Sequence, residues 1–475
     1  MSTSSLLNPS IQQAHKSVPT AGLPWGTLIT SIVLTLFTCA AIGQWGPFFT
    51  TLNELLTVSI LIAATAGVVF YPWQTMRTFL CLYLGLRLFT MTGLIGYATA
   101  TYMSLAIAVV LARKIHSAGK PIPEFPGTDL MLAFAALVTL QFFRATSPRD
   151  ALPILCDVIA FALAIWKFSA IPEQIFRKCV EGFILGVLLA GLIVFLYSSQ
   201  PGSRLGLEFG FNPNDLGNLA GAAILFAVSC AYFKKRRWLL WSAIPLLLVL
   251  LFVTGSRTSV FACAACVGVI LALRRRRIFW VLLISGSIVL GYFTYSGMLD
   301  NDPESLSGRL ASPLTESFED SGAHRAVIWG FLLTQVPNYW KLGLGLRNVN
   351  QLTEENGIIP VMAALSDQIV GYQSHNLYLT TLLEFGILGL ILLVAWQARV
   401  LAFVVKESSR YSLLLAAMLY FLVQGFFTGL NFDFVSGFLL AAAYSTGAGS
   451  QCDPNPDVPR KQQLAGRTSQ NLGVN

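Results

Sequence analysis

Residues 234–277 read KKRRWLLWSAIPLLLVLLFVTGSRTSVFACAACVGVILALRRRR. Two basic clusters bracket two apolar runs, 238–253 and 258–273, and each run approaches the roughly 20 residues an α-helix needs to cross a hydrocarbon core. Lysine and arginine collect on the cytoplasmic side of membrane proteins. The clusters at 234–237 and 274–277 therefore lie inside, and the turn between them, Thr254-Gly255-Ser256-Arg257, lies outside.

Further apolar runs continue this alternation on both sides. Candidate spans fall at about 26–45, 52–72, 76–92, 95–112, 128–143, 150–169, 178–198, 214–233, 278–296, 376–404, 411–429 and 433–449, besides the two above. Arg87 interrupts 76–112, which reads as two spans. With 55% apolar and 11% charged residues and a mean hydropathy of +0.66, the chain exceeds what a soluble protein can cover with polar surface. The expected fold is all-α, a polytopic membrane protein of roughly 12–14 transmembrane helices with both termini inside. One long extracytoplasmic loop, 297–375, should contain short helices.

The chain divides into an N-terminal tail (1–25), an N-terminal transmembrane bundle (26–198), a second membrane region with the long loop (199–449), and a C-terminal tail (450–475) expected to be disordered. The first apolar run begins too far in for a cleaved secretory signal and reads as a retained span. The formal charge of +8 is distributed in short clusters between spans; it sets topology and does not point to nucleic acid. Of the eight cysteines, Cys263 and Cys266 have CxxC spacing inside an apolar run, which reads as small-residue helix packing rather than metal or redox chemistry.

On this topology the outer face receives 198–214, the turn at Arg257, and the long loop, and each carries arginine. Singly, Arg204, Arg257 and Arg325 read as interfacial residues snorkelling to headgroups. Together, on the side where arginine is sparse, they suit an anionic ligand, because guanidinium grips phosphate through paired hydrogen bonds as well as charge. His375 reads either as a residue at a helix start or as a base able to take a proton from a sugar hydroxyl. Asn376 beside it could orient the imidazole or a sugar. Glu384, nine residues on, falls on the opposite helix face and is not the histidine's partner on that helix. The apolar stretch 326–336 is too short to span and predicts a helix at the outer interface. Gly343-Leu344-Gly345 reads as turn glycines before a phosphate loop, and no Walker, Rossmann, zinc or paired-carboxylate motif is present.

Several motifs occur in a telling order: Asn212-Pro213-Asn214-Asp215, Thr254-Gly255-Ser256-Arg257-Thr258-Ser259, Arg325 with Trp329 and Gly343-Leu344-Gly345, then Ser374-His375-Asn376-Leu377-Tyr378 with Glu384-Phe385-Gly386. In this order they resemble the O-antigen ligase and polymerase superfamily over about 200–395. The resemblance implies a bacterial inner-membrane glycosyltransferase with its active site facing the periplasm. Such an enzyme takes glycan from an undecaprenyl-pyrophosphate carrier without a metal, a nucleotide sugar or another cofactor. Arg257 and Arg325 match the arginines that hold the pyrophosphate, with Arg204 as an auxiliary contact, and His375 matches the histidine that activates the acceptor hydroxyl. A single displacement of this kind would invert the anomeric carbon.

The acceptor would be lipid A core for a ligase, a second lipid-linked glycan for a polymerase, or protein for a pilin transferase. A chain-length regulator is a candidate partner, alongside the surrounding lipids. The rival from another class is a lipid-linked glycan transporter or flippase, whose arginines would line a path. Such proteins often carry paired repeats, and no repeat relates the two halves of this chain.

Overall fold

The computed structural model describes residues 66–67, 70–91, 97–117, 124–171, 173–197, 213–233, 238–295, 325–349, 352, 375–408, 410–427 and 433–449. Both tails, the first span and nearly all of the second, Arg204, and 297–324 and 353–374 of the long loop lie outside the described residues. Within the described residues there are thirteen α-helices, one 3-10 turn and no strand. They are α1 (Pro72–Met91), α2 (Tyr97–Ser117), α3 (Thr128–Phe142), α4 (Pro148–Lys167), α5 (Glu173–Tyr197), α6 (Pro213–Phe233), α7 (Trp238–Val253), α8 (Arg257–Arg274), α9 (Arg276–Tyr295), α10 (Arg325–Tyr339), α11 (Leu377–Lys406), α12 (Ser412–Phe427) and α13 (Phe434–Gly449). Twelve coincide with expected spans, including the pair α1 and α2 across 76–112, while α10 is the expected short helix of the long loop. By length and composition, Pro148–Ala170, Ile175–Leu196 and Leu377–Lys406 are long and apolar enough to cross a membrane, and six shorter helices are apolar as well. The protein is an all-α, polytopic membrane protein.

In lipid there is little hydrophobic force between helices, so close approach of small residues holds them together. Gly182 and Gly186 of α5 show this against α1: a Cβ on Gly182 would sit 3.0 Å from the Arg77 carbonyl oxygen, and one on Gly186 would strike the Cys81 backbone. Further in, α2 packs on α4, α4 on α13, and α3 on α11. Phe161 of α4, Trp396 of α11 and Phe421 of α12 meet pairwise at ring separations of 5.6–5.9 Å. One continuous core runs from Met76 to Tyr444 across the 198/199 division. Leu192, Phe195 and Leu196 of α5, Val249 and Phe252 of α7, and Trp280, Ile284 and Ile288 of α9 are exposed, as lipid-facing side chains are.

α11 differs from the expected single span over 376–404. Gly386 takes φ 70, ψ −171 inside it, a backbone region open essentially only to glycine. The Tyr378 hydroxyl donates to Gln397 Oε1 at 3.2 Å, yet a straight helix would separate these residues by about 28 Å at 1.5 Å per residue. The chain therefore folds back at Gly386 into two arms at an acute angle, 377–385 and 387–406. The second arm is still about 30 Å long and able to span, whereas the first returns beside it.

Candidate active site

The α7–α8 turn is built by Gly255 at φ 61. Thr254 Oγ1 donates to the Leu251 carbonyl at 2.7 Å and accepts from Ser256 N at 3.3 Å. α8 begins at Arg257, which is half-buried. One turn in, Ser259 Oγ donates to Asn218 Oδ1 of α6 at 2.6 Å and shares a 2.8 Å hydrogen bond with Ser256 Oγ. The Asn218 carbonyl in turn accepts from the Tyr420 hydroxyl of α12 at 2.7 Å. Gly217 makes this fit possible, since a Cβ there would sit 2.7 Å from Ser256 Cβ. Serine and threonine in this motif tie the amino ends of α6 and α8 together, and the Asn218 carbonyl ties both to the C-terminal half of α12.

The second half of the site is the first arm of α11. Asn376 is buried and caps it, its Oδ1 accepting from Tyr378 N and Leu379 N at 3.0 Å each. His375 precedes the cap at φ 50 and is half-buried. Arg347, at φ 68, is the other non-glycine residue with positive φ within the described residues; such residues concentrate where surrounding structure over-determines the backbone.

α10 runs parallel to this arm. Its buried Ile328 and Leu332 form a small core with Leu383 and Val349, flanked by Trp329, Tyr339, Leu344 and Leu379. At one end Trp329 and Tyr378 both meet Phe426 of α12, with ring centroids 5.9 and 6.3 Å away. At the other, the Trp340 carbonyl accepts from Ile387 N at 2.6 Å. The parallel pairing places the start of α10, Arg325, at the same end as His375.

Gly343-Leu344-Gly345 is a clasp rather than a loop open to a ligand. Leu344 N donates to the Leu383 carbonyl at 2.7 Å and Gly345 N to the Glu384 carbonyl at 3.0 Å. In an unbroken helix those carbonyls would accept from residues 387 and 388; the strap 340–349 supplies what the fold-back removes, as a dry backbone requires. The glycines are steric necessities. Gly343 at φ 74 leaves no room for a Cβ between the Glu384 carbonyl and Phe385 N, and a Cβ on Gly345 at φ 106 would sit 2.7 Å from the Arg144 carbonyl. Asn348 carries the strap to the α3–α4 turn, its Nδ2 donating to the Arg144 carbonyl at 3.0 Å and its Oδ1 accepting from Thr146 N at 3.0 Å. Glu384 is buried with its carboxylate facing the backbone N–H groups of Arg347 and Val349 and the Arg347 charge.

Four helix amino ends, those of α6, α8, α10 and the first arm of α11, therefore gather around the C-terminal half of α12, between Tyr420 and Phe426. Each presents roughly half a positive charge from aligned peptide dipoles, inside an apolar bundle where solvent screening is weak. Arg257, Arg325 and His375, expected together from the sequence, stand at three of these ends. Tyr378 and Gln397 were not anticipated, because only the fold-back brings them together; a polar Gln397 within an apolar run is the one local sign of it.

The O-antigen ligase family model matches residues 242–394, which contain Arg257, Arg325, His375 and the clasp but neither Arg204 nor Asn212-Pro213-Asn214-Asp215. An O-antigen ligase of Pseudomonas aeruginosa is 29% identical over 328 residues, covering 66% of this chain and 73% of that protein. Over the residues that carry the broken helix, its histidine and the strap that closes the break, the chain is therefore similar to O-antigen ligases.

Proposed function

We propose that this protein transfers glycan from an undecaprenyl-pyrophosphate carrier to an acceptor hydroxyl on the outer face of the bacterial inner membrane, as an O-antigen ligase or surface-polysaccharide polymerase. The carrying observation is the meeting of four helix amino ends at α12, with Arg257, Arg325 and His375 on three of them. Amino ends of broken membrane helices favour anionic groups, and the pyrophosphate is the anionic part of such a donor. In this reading the acceptor oxygen attacks the anomeric carbon while the His375 imidazole takes the hydroxyl proton. The bond from the anomeric carbon to the pyrophosphate oxygen breaks, and the carrier pyrophosphate leaves with the electron pair. Arg257 and Arg325 stabilise its developing charge, with Arg204 as an auxiliary contact. Attack opposite the leaving group inverts the anomeric centre. Asn376 holds the helix start behind His375, and any sugar contact it makes falls to its Nδ2 amide.

The test is transfer by purified protein in detergent, with undecaprenyl-pyrophosphate glycan, candidate acceptors and a chelator. Wild type should transfer, and the accepted acceptor distinguishes ligase, polymerase and protein glycosylation. His375→Ala should lose about 10²-fold or more, the scale of general-base catalysis. Arg257→Ala should abolish transfer, with Arg257→Lys only partly active because an ammonium cannot make the paired contact. Wild type that moves lipid-linked glycan across liposomes without transferring it would replace this reading with a transporter.

A further inference from the structure

We infer that Glu384 is a positioning residue, whose buried carboxylate locks the strap 340–349 onto the α11 fold and so sets the helix bearing Arg325 against the arm bearing His375. This rests on the proposed transferase site but concerns how that site is held.

The geometry is a lever with its fulcrum at Gly386. α10 and the first arm of α11 are parallel and share one small core, Ile328, Leu332, Val349 and Leu383. Their carboxyl ends are joined by three backbone hydrogen bonds, Leu344 N to Leu383 O at 2.7 Å, Gly345 N to Glu384 O at 3.0 Å and Ile387 N to Trp340 O at 2.6 Å. All three lie at the vertex, in the first half of the strap. The second half, from Arg347 to Val349, is tied back through the Glu384 side chain, which faces the N–H groups of both residues. Val349 is itself part of the shared core, and Arg347 is held at φ 68. Together with Asn348, whose amide holds the strap to the Arg144 and Leu344 carbonyls and to Thr146 N, the Glu384 side chain sets where Val349 enters the core and, through Ile328 and Leu332, the register of α10 along the arm. A shift in that register changes the separation of Arg325 from His375 at the far end.

Glu384 lies at the vertex end of the arm, away from His375, and no step of the proposed transfer uses it. A buried carboxylate in a membrane helix ordinarily marks function, and here the groups it faces belong to the strap: the backbone amides of Arg347 and Val349 and the Arg347 charge.

The test uses the full-length protein in nanodiscs, comparing wild type, Glu384→Ala and Glu384→Gln by hydrogen exchange and by steady-state transfer. In Glu384→Ala both amides lose their acceptor; peptides over 340–349 should exchange about tenfold faster or more, while α4 and α12 stay protected. Its kcat per folded protein should fall about 100-fold, the scale of a small misplacement of reacting groups, with donor KM within about twofold of wild type. Glu384→Gln keeps a carbonyl for one amide and should fall between, losing about tenfold in kcat. Should Glu384→Ala fail to insert, Glu384→Gln carries the comparison alone, and wild-type exchange and kcat in it would overturn the inference. Strap protection unchanged in both variants alongside lost kcat would make Glu384 a direct participant in the chemistry and would equally overturn it. If wild type transfers nothing, the transferase reading fails, while strap exchange still decides whether Glu384 locks the strap.

Discussion

At the scale of single residues, the histidine is placed by its neighbour. A helix start leaves its first amides without partners, and Asn376 satisfies two of them from Oδ1, so that the chain enters the arm with His375 at φ 50. Asn376→Ala should destabilise the protein by about 1 kcal/mol, the usual value of such a cap, and should lower transfer more than that loss of stability explains, because it loosens the backbone behind His375. Asn376→Asp, which keeps an acceptor at the same place, should recover most of both in thermal unfolding and transfer assays. An alanine variant equal to wild type in both would remove the cap from the account. His375 and Asn376 could be picked out in the sequence, since a histidine followed by a capping residue at the start of an apolar run is a local pattern. That Asn376 Oδ1 serves the backbone could not be, because an asparagine there suits a sugar hydroxyl equally well.

At the scale of elements, the decisive feature is the break in α11. From composition, 376–404 is one apolar run, and Glu384-Phe385-Gly386 within it carries a charge and a glycine but no proline. Helix-breaking here depends on a partner remote in sequence: the strap supplies hydrogen bonds to carbonyls the fold-back exposes, and a pattern of local periodicity does not contain it. The turn at Thr254-Gly255-Ser256-Arg257, by contrast, was legible because flanking charge clusters determine it. Glycine substitutions separate the two kinds of position. Gly386→Ala forces a side chain into a conformation reserved for glycine, costing about 1–3 kcal/mol, and sets its Cβ 2.5 Å from the Lys341 carbonyl. Gly330→Ala, in α10 with nothing within 4 Å of the added Cβ, should be neutral or stabilise by about 0.5–1 kcal/mol through helix propensity. Thermal unfolding in detergent should rank them in that order, and equal melting temperatures would show that the fold-back is not a fixed feature of the element.

At the scale of the whole molecule, orientation and site depend on one another. By the charge rule the α7–α8 turn is expected outside, and the packing gathers the starts of α6, α8, α10 and the first arm of α11 around the same half of α12. The packing fixes which ends lie together and the charge rule which side they face, so the orientation of the whole group follows from that of the α7–α8 turn. It can be read in intact cells with a membrane-impermeant maleimide. Leu342 of the strap is 72% exposed and Arg277, at the opposite end, is exposed as well. The native Cys156, Cys179, Cys263 and Cys266 are buried and Cys81 is partly exposed, so the labelling is read in a background with Cys39, Cys81, Cys230 and Cys452 replaced by alanine. Leu342→Cys should label from outside, and Arg277→Cys should label only after the cells are opened. The reverse pattern would turn the gathered helix ends towards the cytoplasm. A glycan donor acting on the outer face could not then reach Arg257 or His375, and the transferase reading would have to give way to one in which the same cationic ends receive a ligand from inside.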